Sequence, residues 1–352
     1  MKKYMPVRIG KDFVSFLVDK KALLTLGSLL IVTITLFFIS AGMGEMKISP
    51  WRVFQAMIGQ GSESDTLIIM SFRMPRIIVA ILAGMALAAA GGILQGLIRN
   101  SLASPEILGI TGGAGVAVVL FLAVFSDRSG SLTISIEWLP LGAFTGAAIT
   151  AFLIYILARK NGGVPPLRLV LIGIGVSALT KALTTLFMIL GPIHQASQAN
   201  IWLTGTVYGS SWKHIQLLAP WTLILIAIAW ISARKLNVQE LGDELAIGLG
   251  SHVQRQRLFL LLLCTALVGG AVAFAGGIAF VGLMAPHIAR RLVGSAFGAL
   301  LPVAALIGAL LVLLADLIGR TAFSPLEVPA GVFTAAIGAP YFIYLLFRTR
   351  NA

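Results

Sequence analysis

The sequence predicts an all-α integral membrane protein of about ten transmembrane helices. Hydrophobic residues make up 58% of its 352 residues, charged residues make up only 11%, and the mean hydropathy is +0.97. A soluble protein needs roughly a quarter of its residues charged to cover its surface, so a soluble fold is excluded. Uncharged runs long enough to cross the roughly 30 Å of bilayer hydrocarbon recur along the whole chain.

Ten such runs follow one another, each bounded by charge, proline or glycine. They are 22–43, 75–97, 106–126, 138–158, 168–190, 214–233, 258–276, 278–293, 298–319 and 328–347. Gly276 and Gly277 alone separate the seventh run from the short eighth. No small-residue cleavage site follows the first run, so we interpret it as a retained span and not as a signal peptide. The predicted divisions are an N-terminal segment 1–21, a transmembrane domain 22–347 with a hydrophilic loop at 234–257, and a tail 348–352.

The 26 Lys and Arg residues predict how these spans are oriented. Most of them fall on the same side as the N terminus, and the positive-inside rule assigns that side to the cytoplasm. We expect a multi-pass protein of the cytoplasmic (inner) membrane, surrounded by membrane lipid, with both termini cytoplasmic. The net charge of +13 does not indicate a nucleic-acid partner, because the cations form short clusters between uncharged runs.

Two distant segments resemble each other. LAGMALAAAGGI (82–93) and LVGGAVAFAGGI (267–278) agree at eight of twelve positions, and the predicted topology runs them in opposite directions. An inverted internal repeat, which many transporters contain, predicts this relation. Membrane helices rich in alanine and glycine also resemble one another by composition alone. Either origin predicts that both segments are buried between helices, because small residues let helices approach closely in lipid.

The hydrophilic loop 234–257 predicts a short helix. Acidic and amide side chains come early in it, leucines recur at four-residue spacing, and Gly248 and Gly250 end it. One interpretation is an interfacial helix that lies on the lipid headgroups. Acidic residues are unfavourable on an anionic leaflet, however, and such a helix is better suited to a groove on a protein partner.

Three arginines lie on the outer side against the charge bias: Arg73, Arg76 and Arg320. Each alone is explained as a snorkelling or interfacial residue. Together they suggest an acidic docking partner. Asp316 lies one turn before Arg320, which predicts an i,i+4 ion pair near the outer interface.

No sequence motif for catalysis, a cofactor or a metal is present. The single cysteine, Cys264, lies in an apolar run, the four histidines are dispersed, and no HExxH, G-x-S-x-G or G-x-x-x-x-G-K-[ST] occurs. A membrane enzyme is therefore disfavoured, and any ATPase that drives transport must be a separate chain. The spans also lack the series of carboxylates and histidines typical of proton-coupled carriers, which disfavours an ion-coupled secondary transporter.

Five segments together resemble the permease family of bacterial ATP-binding-cassette (ABC) importers for ferric siderophores, haem and cobalamin. They are FRMPRIIVAILAGMALAAAGGILQGLIRNSLASPEILGITGGAG (72–115), LGDELAIGLG (241–250), GGIAFVGLMAPHIARRLVG (276–294), LLADLIGR (313–320) and EVPAGVFTAAIGAPYFIYLLF (327–347). The resemblance implies a ten-helix pore subunit that is not itself an enzyme. Its implied partners are a cytoplasmic ATPase dimer, an external or periplasmic substrate-binding protein, and a second copy of this permease or a paralogous one.

The resemblance also assigns roles by position. It implies an ATPase-coupling helix containing Leu241, Gly242, Asp243, Glu244, Leu245, Gly248, Leu249 and Gly250. It implies that Arg73, Arg76 and Arg320 pair with glutamates of the binding protein. The loop from Gly162 to Leu167 corresponds to a cytoplasmic gate, where this chain has Pro165 and Pro166 in place of small hydroxylated residues. The segment 201–212 corresponds to a short outer helix beside the pore.

The substrate implied by the resemblance is a ferric siderophore. The segments MAPHIARRL and EVPAGVF are closer to ferric-siderophore permeases than to cobalamin ones. Cobalamin and haem remain alternatives, because a wide pore for any bulky, rigid complex needs no fixed set of ligands.

Overall fold

The apolar runs of the sequence form helices in the predicted order. The computed structural model describes residues 4–9, 14–126, 132–160, 163–191 and 193–349. Its helices are α1 (Lys20–Gly42), α2 (Pro50–Met57), α3 (Glu63–Thr66), α4 (Met74–Ile98), α5 (Ile110–Val124), α6 (Leu139–Ala158), α7 (Pro166–Leu190), α8 (Ile193–Thr204), α9 (Trp212–Ile231), α10 (Ala233–Glu240), α11 (Asp243–Gly248), α12 (Val253–Ala275), α13 (Val281–Val293), α14 (Phe297–Thr321) and α15 (Ala330–Thr349). A π-helical segment, Leu67–Arg73, joins α3 to α4, and a 3-10 turn, Ile136–Trp138, leads into α6.

The predicted helical membrane fold is confirmed. Eight helices of the described chain are long and apolar enough to cross a bilayer. The third and eighth predicted spans are shorter as helices: α5 has 15 residues and α13 has 13. At 1.5 Å per residue these helices are only about 22 and about 20 Å long.

Each short helix is preceded by irregular backbone, and the two irregular segments meet. The backbone N–H of Phe280, just before α13, donates to the carboxylate of Glu106, just before α5, at 2.9 Å. Non-helical backbone at membrane depth is stable only where protein or a cavity surrounds it. The Glu106 carboxylate thus joins the two interrupted spans. It binds the Phe280 N–H, which has no partner within a helix.

The predicted N-terminal segment 1–21 contains a hairpin that the sequence analysis did not predict. Strands β1 (Tyr4–Ile9) and β2 (Val14–Asp19) pair antiparallel, with Tyr4 opposite Asp19. The second strand leads directly into α1, where the Asp19 carboxylate accepts from the Lys21 backbone N–H at 2.8 Å. Within the described residues this hairpin is the exception to an otherwise helical fold.

Helix α4 lies at the centre of the bundle and runs antiparallel to α14. In the helical stretch Glu63–Ile98, 83% of the most apolar window is buried, against 11% for α1. A Cβ on Gly84 would lie 2.2 Å from the Gly308 carbonyl oxygen, so the two backbones touch there. Both segments of the possible repeat, 82–93 and 267–278, are almost wholly buried, as predicted. Their origin as an inverted repeat stays a prediction.

The short outer helix begins and ends earlier than the segment 201–212 implied by the resemblance. Helix α8 ends at Thr204, and the chain is non-helical from Gly205 until α9 starts at Trp212. Gly205 has a φ of +92°, and a Cβ there would lie 2.6 Å from the Ile278 nitrogen. A backbone conformation that favours glycine therefore stops the helix at this point.

Candidate functional sites at the two ends of α4

Helix α4 carries a candidate site at each of its ends. Arg73 and Arg76 lie at its start, Arg99 follows its last residue, and its 25 residues span about 38 Å. We call the two ends of the bundle the arginine end, defined by Arg73, Arg76 and Arg320, and the α11 end, defined by the helix Asp243–Gly248.

At the arginine end, Arg76 is held by two carboxylates. Its Nε donates to Asp316 at 2.9 Å, and its Nη1 donates to Glu327 at 2.8 Å. Only 12% of the Arg76 side chain and 2% of the Asp316 side chain are exposed. The guanidinium also lies 5.6 Å from the centre of the Tyr208 ring. The network joins α4 to α14 and to the loop before α15.

Arg73 and Arg320 bind backbone carbonyls at the end of α1. Arg73 donates to the carbonyls of Ala41 at 2.7 Å and Met46 at 2.6 Å. Arg320 donates to the carbonyls of Met43 and Ser40, and to the Ser40 hydroxyl at 2.7 Å. The last carbonyls of a helix lack intrahelical partners and carry partial negative charge, so these guanidinium groups stabilise that terminus.

The three arginines come together, as predicted. They line one cleft of about 450 Å³, together with Phe72, Tyr208 and Glu327. The cleft opens at the surface and combines cationic groups, two aromatic rings and two carboxylates, those of Glu45 and Glu327. It is suited to receiving acidic side chains of a partner, although each guanidinium already has partners within the chain.

The predicted i,i+4 ion pair is present but secondary. Arg320 Nε lies 3.6 Å from Asp316, whereas Arg76 is hydrogen-bonded to the same carboxylate. The sequence analysis did not assign Arg76 to Asp316 or single out Glu327. Arg76 and Glu327 are 251 residues apart, and no local spacing signals such a pair.

At the α11 end, the loop 234–257 forms two helices where one was predicted. Gln239 lies in α10 and Glu240 ends it, and the chain then turns at Gly242, with a φ of +109°, before α11 begins at Asp243. Gly248 is the last residue of α11, and Gly250 follows with a φ of +78°. The prediction of a single helix with a continuous leucine stripe is therefore wrong, because Gly242 breaks it. The prediction that the helix ends at its glycines is confirmed.

Helix α11 exposes apolar side chains to the outside of the bundle. Leu245 is 62% exposed, and Leu241, Ile247 and Leu249 are similarly exposed, while Ala246 is buried. A Cβ on Gly248 would meet no atom within 4 Å. Apolar surface of this kind, outside the long apolar helices, indicates a contact site for another molecule.

The first residue of α11 is tied to the rest of the bundle by two arginines. Asp243 Oδ1 accepts from Arg99 at 2.6 Å and from Arg257 at 2.8 Å. Arg257 is only 2% exposed, and its Nη1 donates to the Val164 carbonyl at 2.9 Å. The sequence analysis counted both arginines only as positive charge. The contacts of these two arginines link four separate segments of the chain, and no regular spacing in the sequence indicates such a link.

The implied gate residues lie just beyond that carbonyl. Val164 is buried, Pro165 is exposed, and α7 begins at Pro166. Gly163 and Lys160 exchange two backbone hydrogen bonds in the turn before them. Gly162, where the implied gate loop begins, lies outside the described residues.

No candidate metal centre accompanies these sites. The described residues contain no group of three or more His, Cys, Asp or Glu side chains placed to hold an ion. Cys264 is buried and free.

Comparison with known proteins identifies related chains. The FecCD transport family matches residues 30–348. The chain is 61% identical over 334 residues to a Bacillus subtilis protein named "Probable siderophore transport system permease protein YfhA", covering 95% of this chain and 97% of that one. It is 44% identical over 329 residues to the iron(3+)-hydroxamate import system permease protein FhuG of Bacillus subtilis, covering 93% and 98%.

A solved structure has the same fold. It is described as an inward-facing conformation of a metal-chelate type ABC transporter, and it aligns with a TM-score of 0.80 at 30% identity. The alignment covers 92% of this chain and 98% of the other.

Proposed function

The chain belongs to the FecCD transport family, and we propose from this premise that it is the permease subunit of an ABC importer that carries a ferric siderophore across the cytoplasmic membrane. The 61% identity over 95% of the chain to a siderophore permease carries this proposal. Two relatives named for siderophore and hydroxamate import favour an iron chelate over cobalamin or haem. The permease provides the pore, and hydrolysis of ATP belongs to another chain.

The ATPase dimer is proposed to dock at the α11 end. The support is the exposed apolar surface around Leu245, on a short helix whose first residue, Asp243, binds Arg99 just past the end of α4. In this arrangement α11 is the coupling helix, and Leu241 to Gly250 are its contact region. The α11 end and both termini are then cytoplasmic, in agreement with the distribution of positive charge.

The substrate-binding protein is proposed to dock at the arginine end. Arg73, Arg76 and Arg320 line the cleft there, and complementary charge steers and orients such encounters. The contact of Arg76 with Glu327 of the same chain supports this proposal, since a glutamate fits beside that guanidinium. Glutamates of the binding protein would add to or replace that contact.

The pore itself is proposed to form between two permeases, either two copies of this chain or this chain and a paralogue. Pro165 and Pro166 are then the gate at its cytoplasmic end. The interrupted spans before α5 and α13 are characteristic of transport proteins, which keep irregular backbone where it lines a cavity.

Uptake in a deletion strain tests the substrate. A strain that lacks only this chain is assayed for ⁵⁵Fe loaded on hydroxamate, catecholate and citrate chelators, with haem and radiolabelled cobalamin as comparisons. We expect loss of uptake for a ferric chelate and recovery when the chain is returned on a plasmid. Loss confined to cobalamin or haem would replace the siderophore assignment, and no loss in any arm would refute it.

A further inference from the structure

One guanidinium at the α11 end contacts both the proposed coupling helix and the proposed gate. Arg257 Nη2 donates to Asp243, the first residue of α11, at 2.8 Å to Oδ1 and 3.1 Å to Oδ2. Its Nη1 donates to the Val164 carbonyl at 2.9 Å. Val164 directly precedes the two prolines at the start of α7.

Arg257 is buried, and a second residue of the same helix also holds Val164. The Arg257 side chain is 2% exposed and the Asp243 side chain is 36% exposed, so the hydrogen bond to the buried Val164 carbonyl is the better shielded from water. A guanidinium is planar and presents its donors in a fixed fork, so movement of one bonded group is passed to the other. Gln254, one turn earlier on the same helix, accepts from the Val164 N–H at 3.1 Å. Both polar groups of Val164 are therefore held from α12.

Because of Pro165 and Pro166, the position of this turn depends on the hydrogen bonds of Val164. Neither proline has a backbone N–H, so neither can anchor this turn by donating a hydrogen bond. The next contacts are in the first turn of α7, where Arg168 donates to the Leu157 carbonyl at 3.1 Å and the Leu169 N–H donates to the Pro165 carbonyl. A displacement of the Val164 peptide consequently moves the start of α7.

We propose that Arg257 is a positioning residue that transmits displacement of α11 to the gate turn 163–166. The inference rests on the proposed function, in which an ATPase moves α11. Movement of Asp243 repositions the guanidinium, and the guanidinium moves the Val164 carbonyl. Arg99, which shares the Asp243 carboxylate, keeps α11 attached to α4 when Arg257 is changed.

Cysteine labelling at the gate tests this coupling. Leu167 is 72% exposed and lies in the first turn of α7, so Leu167→Cys reports on the gate, while Cys264 is buried. The permease is purified with its ATPase and reconstituted in nanodiscs. The rate of reaction with a water-soluble maleimide is measured without nucleotide and after trapping with ATP and vanadate. The ATPase rate of the same sample is measured in parallel.

With Arg257 intact, we expect nucleotide to change the labelling rate about fivefold or more, which is the lower end of typical coupling between sites. Arg257→Gln should abolish this change while ATP hydrolysis continues. Arg257→Lys restores the charge beside Asp243 but cannot bridge two acceptors as a fork, so it should not restore the change. A role limited to neutralising Asp243 would be rescued by lysine, and that outcome would refute the proposal.

Two further variants complete the test. Arg255→Gln alters an exposed arginine on the same helix and should leave the nucleotide response intact. Asp243→Ala removes the other half of the link without changing buried Arg257, and in complexes that retain the ATPase it too should abolish the response. A normal response in the assembled Arg257 variants or in Asp243→Ala overturns the proposal. An absent ATPase, or no response in the otherwise unchanged complex, would overturn the proposed function itself.

Discussion

Arg76 shows what sequence could and could not predict at the scale of single residues. Three arginines on one side, against the charge bias, predicted that they would come together, and they line one cleft. Their intramolecular partners were not predictable, except for the i,i+4 neighbour of Arg320. Asp316 and Glu327 reach Arg76 from the opposite end of the chain, and only packing of α4 against α14 creates that contact.

We expect the ion pair between Arg76 and Asp316 to stabilise the folded permease. Asp316→Asn removes one of the two carboxylates that bind Arg76, and because Glu327 remains the cost should lie below the about 3–5 kcal/mol of leaving a buried charge unpaired. We expect a lower midpoint of thermal unfolding in detergent. Asp316→Asn combined with Arg76→Met should lose less than the sum of the two single changes. Strict additivity would show that the two side chains do not interact.

Docking at the arginine end is tested at Arg73, which is less buried than Arg320 although it too donates to carbonyls at the end of α1. Arg320 is buried among α1 carbonyls, so Arg320→Glu should destabilise the permease more strongly and is the poorer probe of docking. Arg73→Glu places a carboxylate in the cleft, and we expect weaker binding of the substrate-binding protein, measured by surface plasmon resonance on nanodiscs. Binding by the unchanged permease should also weaken as salt rises.

Lys47→Glu is the matched control for this docking prediction. Lys47 is an exposed cation in the loop between α1 and α2, outside the cleft. Equal effects of Lys47→Glu and Arg73→Glu would mean that net charge and not the cleft governs docking.

At the scale of elements, helix α11 was predicted in its place but not in its extent. The glycines and the acidic start were visible in the sequence. The break at Gly242 was not, because a single glycine is tolerated inside many helices and only the φ of +109° identifies it as a turn. The third and eighth spans were predicted, with the eighth already short, but the starts of their helices were placed too early. The third run was placed from residue 106 and the eighth from residue 278, whereas α5 begins at Ile110 and α13 at Val281, and the carboxylate of Glu106 satisfies backbone that composition cannot describe.

Substitutions in α11 should separate the ATPase from the permease. Leu245→Glu and Gly248→Asp alter an exposed side chain and an open position, so folding should persist. We expect the ATPase to be lost from the purified complex, with normal amounts of permease in the membrane. Met46→Glu, at an exposed apolar side chain of the arginine end, should retain the ATPase. Retention by all three variants would refute the assignment of α11.

The close packing of α4 on α14 leaves no room for an added methyl group at the contact. A Cβ on Gly84 would lie 2.2 Å from a backbone oxygen, whereas a Cβ on Gly175, in α7, would meet nothing within 4 Å. Overpacking of this kind costs about 1–3 kcal/mol or more. Gly84→Ala should therefore lower thermal stability in detergent, and Gly175→Ala should not. Similar stability of the two variants would contradict the observed approach of α4 and α14.

At the scale of the whole molecule, composition predicted the class of protein and most of its spans. The apolar runs coincide with eight long helices, because a bilayer imposes both length and hydropathy on any helix that crosses it. The order in which helices pack does not follow from hydropathy, since every span is apolar. The burial of α4 was instead indicated by its run of alanine and glycine, because small residues allow neighbouring helices to approach closely.

Transport by the purified complex in proteoliposomes tests the central claim most directly. The permease, its ATPase and the binding protein are reconstituted together, and uptake of a ⁵⁵Fe-loaded siderophore is measured with ATP supplied on the side of the ATPase. We predict uptake that requires ATP, stops with vanadate and persists when every ion gradient has been collapsed. Uptake that ran on an ion gradient with the permease alone, and was indifferent to ATP, would contradict the assignment of this chain as the pore of an ABC importer.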